Sequence, residues 1–454
     1  MGLKYIEPVK SVILLLLVVL SVTFTFSIWT YTPRLKSIEE LPTVDISIAA
    51  RMEIDEVIKP YKIVFNFDDG LKGTSTAEEI DTVMEEMKKW RISDLILADG
   101  NFKMDKWATL MRKHHHFSLH FQGLVPIPLY DKVLNIEEEV VPEASFDRLV
   151  VDWKPKAEGV DLNLFFVNSK DGLLYKAKGK VDDYRTFQQS IVAWAAEFEE
   201  YADIDPENPA NFITVPAMPV ETVRTKYFQE EISPNRSRDS LPNRFRDALF
   251  TDPNAVRRSQ VDSVMEEFAD DHAQMTVDTE KKMLDFVLPA AQSSERAIPS
   301  ELLEKTIDFI NEHSGWTSEY RYIFMNPDSR FVKFQLYIHG LPVYSDTPGS
   351  TEIMEIWGDN RIFRYFRPYY TLDLTLTSET ETIFLPSGRD VVETLKQLSD
   401  EDFSQIEEII PGYYMERDTD RRLFTMEPSW FYLKNGTWIR FSDEMTGGED
   451  YGLE

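Results

Sequence analysis

The chain has 454 residues, which at about 150 residues per domain predicts roughly three domains, each large enough to bury a core. Its 49 Lys and Arg against 79 Asp and Glu leave a net charge of −30, which repels phosphate backbones and excludes nucleic acid as a partner; with 43% hydrophobic and 13% aromatic residues the chain is no disordered acidic polymer. Cysteine is absent, so disulfides, thiolate metal sites and thiol nucleophiles are excluded.

In chain order, residues 1–10 form a short tail carrying Lys4 and Lys10, and Ser11 to Thr30 is a 20-residue run without charge. As a helix it is about 30 Å long, the thickness of a hydrocarbon core, so residues 11–31 read as a transmembrane anchor. A cleaved signal peptide would need small residues after the apolar run; Phe24, Phe26, Ile28, Trp29 and Tyr31 stand there instead. The short N-terminal side predicts a cytoplasmic N-terminus and an extracytoplasmic bulk.

Residues 61–67 (YKIVFNF) read as a strand closed by Asp68-Asp69-Gly70, followed by a helix with Ser75 and Glu78 at capping-box spacing and Ile80, Val83 and Met87 on one face. A strand at 95–97, a helix at 103–113, strands at 117–121 and 149–153 and a hairpin at 162–175 complete a first α+β domain, 34–180. Phe187, Ile191, Trp194, Ala195 and Phe198 predict a helix opening a central α+β domain, 181–297. That domain also holds strands near 211–229, an irregular Arg-rich stretch from Ser233 to Arg258 and a hairpin at 273–288. A C-terminal α+β domain, 298–454, starts with a helix after Pro299, with Leu303, Ile307 and Ile310 inward and Gly315 as its stop. Strands at 320–325, 331–338, 353–357 and 362–366 follow, then a helix after Pro386-Ser387 with Val391, Leu395 and Leu398, then strands at 413–415, 431–433 and 438–441. The expected class is α+β, with mixed helices and antiparallel sheets behind a single N-terminal transmembrane helix.

Four of the seven histidines, His114, His115, His116 and His120, cluster. A closed metal site needs three or four converging ligands, whereas a helix end running into a strand splays these rings over different faces, so no metal is expected. Asp203, Asp205 and Glu207 imitate an EF-hand until Asn208 and Thr214 stand where Gly and Glu are required. Gly70 to Gly73 lacks the Lys-Ser/Thr pair of a phosphate loop, and neither HExxH nor GxSxG occurs. No catalytic residue, metal ligand or cofactor is assigned.

Two other groups are candidates for partner recognition. Arg236, Arg238, Arg244, Arg246, Arg257 and Arg258 place six guanidinium groups within 23 residues, either an anion or partner patch or a set of internal pairs with Asp239, Asp247 and Asp252. Arg361, Arg364 and Arg367 carry the same two readings. Within the anchor, Ser21 and Thr25 stack on one helix face with Leu14, Leu17, Val18 and Ile28, a face suited to helix–helix contact in lipid; the competing use of the hydroxyls is to bond their own helix's carbonyls.

The span ending in Trp29-Thr30-Tyr31-Thr32-Pro33, the YKIVFNF strand and FRDALFTDP from Phe245 to Pro253 together resemble the YycH (WalH) family, regulators of the YycG (WalK) histidine kinase of low-GC Gram-positive bacteria. The resemblance covers essentially the whole chain. It implies a non-enzymatic membrane regulator of cell-wall homeostasis that acts with a single-span partner, YycI, largely through contacts between transmembrane helices, and whose outer part has three domains. The stretch from 298, with GLPVYS (340–345) and MEPSWFYLKNGTW (426–438), resembles the part shared with YycI. The residues by themselves leave three readings: a regulatory adaptor, an anchored cell-wall enzyme using carboxylates, and a module that binds an anionic wall polymer through its arginines.

Overall fold

Strand-forming runs of β-branched and aromatic residues dominate the chain after residue 60, and the computed structural model pairs them into two large sheets. It describes residues 49–154, 161–206, 212–228, 241–313, 315–370, 372, 379–398, 403–418 and 423–442. The uncharged run at 11–31 lies outside the described residues; among those described, no helix is long and apolar enough to cross a membrane.

The first sheet contains β1 (Lys62–Phe67), β2 (Gly70–Thr74), β3 (Arg91–Asp99), β4 (His116–Pro126), β5 (Asn135–Ile136), β6 (Ser145–Asp152), β7 (Leu162–Asn168), β8 (Leu173–Lys180), β9 (Glu199–Asp203) and β10 (Thr214–Pro216). Their spatial order is β10-β9-β2-β1-β4-β6-β7-β8-β3-β5, antiparallel except for β3 and β5. The register sets Ile63, Leu119, Leu149 and Phe166 abreast on four adjacent strands, all buried. The helix Ala77–Met87 contributes Ile80, Val83 and Met87 to the same core, joined by Phe187, Ile191 and Ala195. The other face is partly covered by the helix Met104–Met111, whose Trp107 and Leu110 pack with Val150, Val167 and Phe212.

The second sheet contains β11 (Val220–Phe228), β12 (Arg257–Gln260), β13 (Met265–Ala269), β14 (Gln274–Asp278), β15 (Met283–Val287), β16 (Tyr320–Asn326), β17 (Phe331–Ile338), β18 (Leu341–Tyr344), β19 (Glu352–Trp357), β20 (Ile362–Pro368), β21 (Glu379–Leu385), β22 (Ile406–Asp418), β23 (Leu423–Lys434) and β24 (Thr437–Arg440). Its order is β12-β13-β14-β15-β20-β19-β17-β18-β22-β23-β11-β21, with β16 beside β17 and β24 beside β23. The helix Pro299–His313 buries Leu303, Ile307 and Ile310 against it.

Several local expectations change. The helix after residue 75 is capped at Thr76 rather than Ser75, with no side-chain bond from the cap, and the Thr76 N–H goes to the Thr74 hydroxyl; the Ser75–Glu78 box does not form. A capping box does form at the later helix Gly388–Leu398, where Ser387 and Asp390 bond each other's backbone N–H. The helix after Asp183 is divided by a π-helical turn, Gln188–Val192. The stretch expected to be irregular holds a helix, Leu241–Leu249, driven by burial of Phe245, and β12 begins at Arg257.

Residues 45–454 form one compact unit, and the two sheets share one core. At their contact the Tyr322 hydroxyl donates to the Leu124 carbonyl at 2.7 Å, and a Cβ on Gly123 would sit 2.7 Å from the Ile323 carbonyl oxygen. Both residues lie at breaks in strand pairing, between His120 and Val125 on β4 and between Tyr322 and Phe324 on β16, and the Tyr322–Leu124 bond holds the two backbones together. Gly123→Ala should therefore lower stability by about 1–3 kcal/mol, whereas Gly100→Ala, whose new methyl would meet only Leu97 at 3.9 Å, should leave the urea midpoint nearly unchanged.

Candidate functional site

The expected site residues scatter. Arg236 and Arg238 lie outside the described residues. Arg246 bonds its neighbour Asp247 at 2.7 Å, Arg257 lies 3.5 Å from Asp271, and Arg258 forks onto Glu266 with bonds of 2.8 and 2.9 Å. Arg244 sits on the same helix as Arg246. Arg364 forks onto Asp285, and Arg367 is fully buried, donating to the Gly315 carbonyl, the Tyr365 hydroxyl and the Thr317 hydroxyl. The anchor residues Leu14, Leu17, Val18, Ser21, Thr25 and Ile28 fall outside the described residues.

The histidines do not converge either. The His114 ring nitrogen meets the Phe67 carbonyl at 2.8 Å, His115 faces Asp68 at 3.4 Å, and the His116 ring lies 3.1 Å from the His114 carbonyl. Contrary to a full splay, His116 and His120 share one face of β4, but His120 is sealed inside, 2.9 Å from the Ser118 hydroxyl. Among the described residues no group of three His, Asp or Glu is arranged to hold a metal. Asp203 of the failed EF-hand instead receives Arg112 at 2.7 Å.

The most concentrated chemistry is a buried polar junction that the sequence does not announce. Strand register places Lys62, His120 and Arg148 abreast on β1, β4 and β6, a row of three basic side chains on the face opposite the Ile63 row. Facing them from the second sheet is Glu408. It accepts from the Lys62 ammonium at 2.9 Å and from the Tyr61 hydroxyl, and the Arg148 guanidinium approaches to 3.7 Å. Lys62 also donates to the Thr214 carbonyl at 3.0 Å, and Arg148 to the Phe121 carbonyl at 3.0 Å. Lys62 and Glu408 are 2% and 6% exposed.

A bulge aims the carboxylate. Ile406 pairs with Lys434 but Glu408 pairs with Leu433, so Glu407 is the extra residue; it turns outward and its carboxylate takes the Gly436 N–H at 3.1 Å, while Glu408 swings in. Burial lowers the pKa of Lys62 against the opposing pull of Glu408. Burial first, then the charges of Arg148 and Lys62, hold His120 well below its ordinary value, and burial with the Glu408 carboxylate raises Tyr61 well above its own. The cavity beside the junction, lined by Tyr61, Lys62, Tyr201 and Thr214, has room of only about 10 Å³, no more than a water needs, so the junction is a fixed charge set that fastens two sheets.

A second buried acid, Glu355 on β19, is 0% exposed. One carboxyl oxygen accepts the Trp357 indole N–H at 3.0 Å, and the other has no hydrogen-bond partner. Burial pushes its pKa well above the usual carboxylate range, with the indole bond and Arg367 opposing. An open cleft at the surface is lined by Glu53, Asp55, Lys88, Asp131 and Lys132. Its cations are already engaged, Lys88 with Asp55 and Glu85 and Lys132 with Glu304.

With no convergent catalytic set in view, comparison with known proteins decides the assignment. The sequence model of the YycH protein N-terminal domain matches residues 7–193, and that of the YycH protein C-terminal domain matches residues 215–445. The chain belongs to the YycH family. A relative from Bacillus subtilis (strain 168), named two-component system WalR/WalK regulatory protein YycH, is 21% identical over 473 aligned residues that cover 99% of each chain. The crystal structure of YycH from Bacillus subtilis superposes with a TM-score of 0.70 at 17% identity, covering 88% of this chain and 99% of that one, a likeness of fold. Between the two YycH domain matches lies β9, which pairs with β2 and with β10. Thr214, at the border, offers Lys62 its carbonyl.

Two measurements check this electrostatic reading. Glu408→Leu strands Lys62 without its counter-charge, while Arg148 keeps Asp147 at 3.3 Å, and should cost about 3–5 kcal/mol in urea unfolding, with part regained on adding Lys62→Met. For Glu355 the folded pKa lies above the unfolded one, so the neutral acid favours folding below the unfolded value of about 4.3 and that contribution is lost as pH rises. Glu355→Gln should then be more stable than the parent at pH 8, with the difference shrinking towards pH 4.

Proposed function

We propose that this chain is a membrane-anchored, extracytoplasmic regulator of a sensor histidine kinase of the YycG/WalK type, acting as an adaptor together with a YycI-like single-span protein. The observation that carries the reading is the ordered match of both YycH domains to one chain, aligned end to end with a relative named as a WalR/WalK regulatory protein. The 20-residue uncharged run from Ser11 supports the anchor by its length. Arginines occupied by internal pairs at Asp247, Glu266 and Asp285 favour an adaptor over a module that grips an anionic polymer. The absence of HExxH and GxSxG motifs favours it over an enzyme.

In this reading the N-terminus is cytoplasmic and the large C-terminal part lies outside. Contact with the kinase and the second regulator runs partly through the anchor face built on Leu14, Leu17, Val18, Ser21, Thr25 and Ile28. Lipid offers no hydrophobic force between helices, so close packing and shared hydroxyl bonds, each worth about 0.6–2 kcal/mol, select partners there.

Protease added to intact protoplasts should digest the bulk of the chain; protection of the C-terminal part would refute the topology. Replacing Ser21 and Thr25 together by Leu should weaken co-purification with the kinase or the YycI-like protein while membrane insertion stays intact. Equal loss on changing Val19 and Val22 to Leu would count against this face.

A further inference from the structure

We propose that residues 50–58 are a strap that couples the N-terminal anchor mechanically to the outer fold, with Asn311 as the clasp. The proposal rests on the anchored-regulator reading above. The strap's first part packs Met52 and Ile54 against the core, and its backbone is held by hydrogen bonds to a distant segment. The Met52 N–H donates to the Asn311 side-chain oxygen at 3.0 Å, and the Asn311 amide nitrogen donates back to the Met52 carbonyl at 3.0 Å. Asn311 thus imitates a neighbouring strand. Its oxygen also takes the Trp316 indole N–H at 2.8 Å, and the Trp316 backbone N–H donates to the Ala50 carbonyl at 2.9 Å in an antiparallel bridge.

Gly315 is required for this approach. Its φ is +70°, and a Cβ there would fall 2.3 Å from the Ala49 carbonyl oxygen. Behind the clasp, Arg367 fixes the Gly315 carbonyl at 3.0 Å. The clasp sits at the end of the helix Pro299–His313, which packs on the second sheet. The strap's far end leads elsewhere. Val57 and Ile58 are 0% and 1% exposed, and three residues later Tyr61 and Lys62 engage Glu408. A pull or twist on the strap therefore reaches the second sheet at Asn311 and the first sheet at β1, with no slack linker of described residues between Ala50 and β1.

The test uses the full-length chain in membranes with its kinase. Asn311→Ala should raise hydrogen exchange at the Met52 and Trp316 amides at least tenfold, leave the β1, β4 and β22 amides unchanged, and shift kinase-dependent transcription towards that of a strain lacking the chain. Asn311→Asp keeps the acceptor for Met52 and Trp316 but sets a carboxylate oxygen against the Met52 carbonyl, so its exchange and output should fall between those of the parent and Asn311→Ala. Unchanged exchange at Met52 in Asn311→Ala, or released exchange with normal output, overturns the coupling. Loss of the whole chain without any effect on output would instead refute the regulator reading itself, and the coupling with it.

Discussion

Everything in this molecule depends on one buried carboxylate. Lys62, His120 and Arg148 are forced abreast by the register of β1, β4 and β6, and three basic groups in a row on a dry face would repel one another without a counter-charge. Glu408, arriving from the other sheet, supplies it. Because burial and neighbouring charges keep His120 neutral, the carboxylate faces two cations rather than three; it also accepts from the Tyr61 hydroxyl, while the Thr214 and Phe121 carbonyls accept further bonds from Lys62 and Arg148. The first sheet completes its polar face only when the second is present, which ties the halves into one cooperative body.

The same economy explains the use of arginine. Against an excess of acids, several guanidinium groups find a carboxylate on a neighbouring strand or turn: Arg112 with Asp203, Arg224 with Glu427 and Glu381, Arg258 with Glu266, Arg364 with Asp285. These pairs stitch neighbouring strands and loops.

How much of this was legible in the sequence follows from what each pattern encodes. Helical periodicity found the helices at 77–87, 299–313 and 388–398, because Ile80, Leu303 and Val391 each begin a buried stripe. Alternation of Phe117, Leu119 and Phe121 found β4, and turn residues between apolar runs, Asp171-Gly172 and Asn326-Pro327-Asp328, found the hairpins of β7 with β8 and β16 with β17. The edge strand β12 carries the exposed run RRSQ and β21 the largely exposed ETETIFL, so neither shows the two-residue alternation of a half-buried strand. Glu408 sits in a Glu-Glu-Ile-Ile run like many surface acids, and the bulge that turns it inward depends on the partner strand. Asn311 reads as a polar residue near a helix end; its second role exists only because a distant segment lies beside it.

One end of the first sheet has a consequence for copies that meet. The last strand, β5, spans only two residues and pairs with Arg91 and Ile92, so among the described residues most of β3 has no further strand beside it. That length is irregular. Asp94 has φ of +56°, the pairing with β8 shifts between Ser93 and Ile96 and again near Asp99, and the Leu95 N–H is taken by the Glu138 carboxylate at 2.9 Å. An open strand of this kind is a template for uncontrolled fibre growth when it is straight and its donors are free. Here the spacing is broken and a donor is stoppered by a carboxylate, so two molecules colliding along this border find no ladder to extend, although Ile96 and Leu97 are exposed beside it.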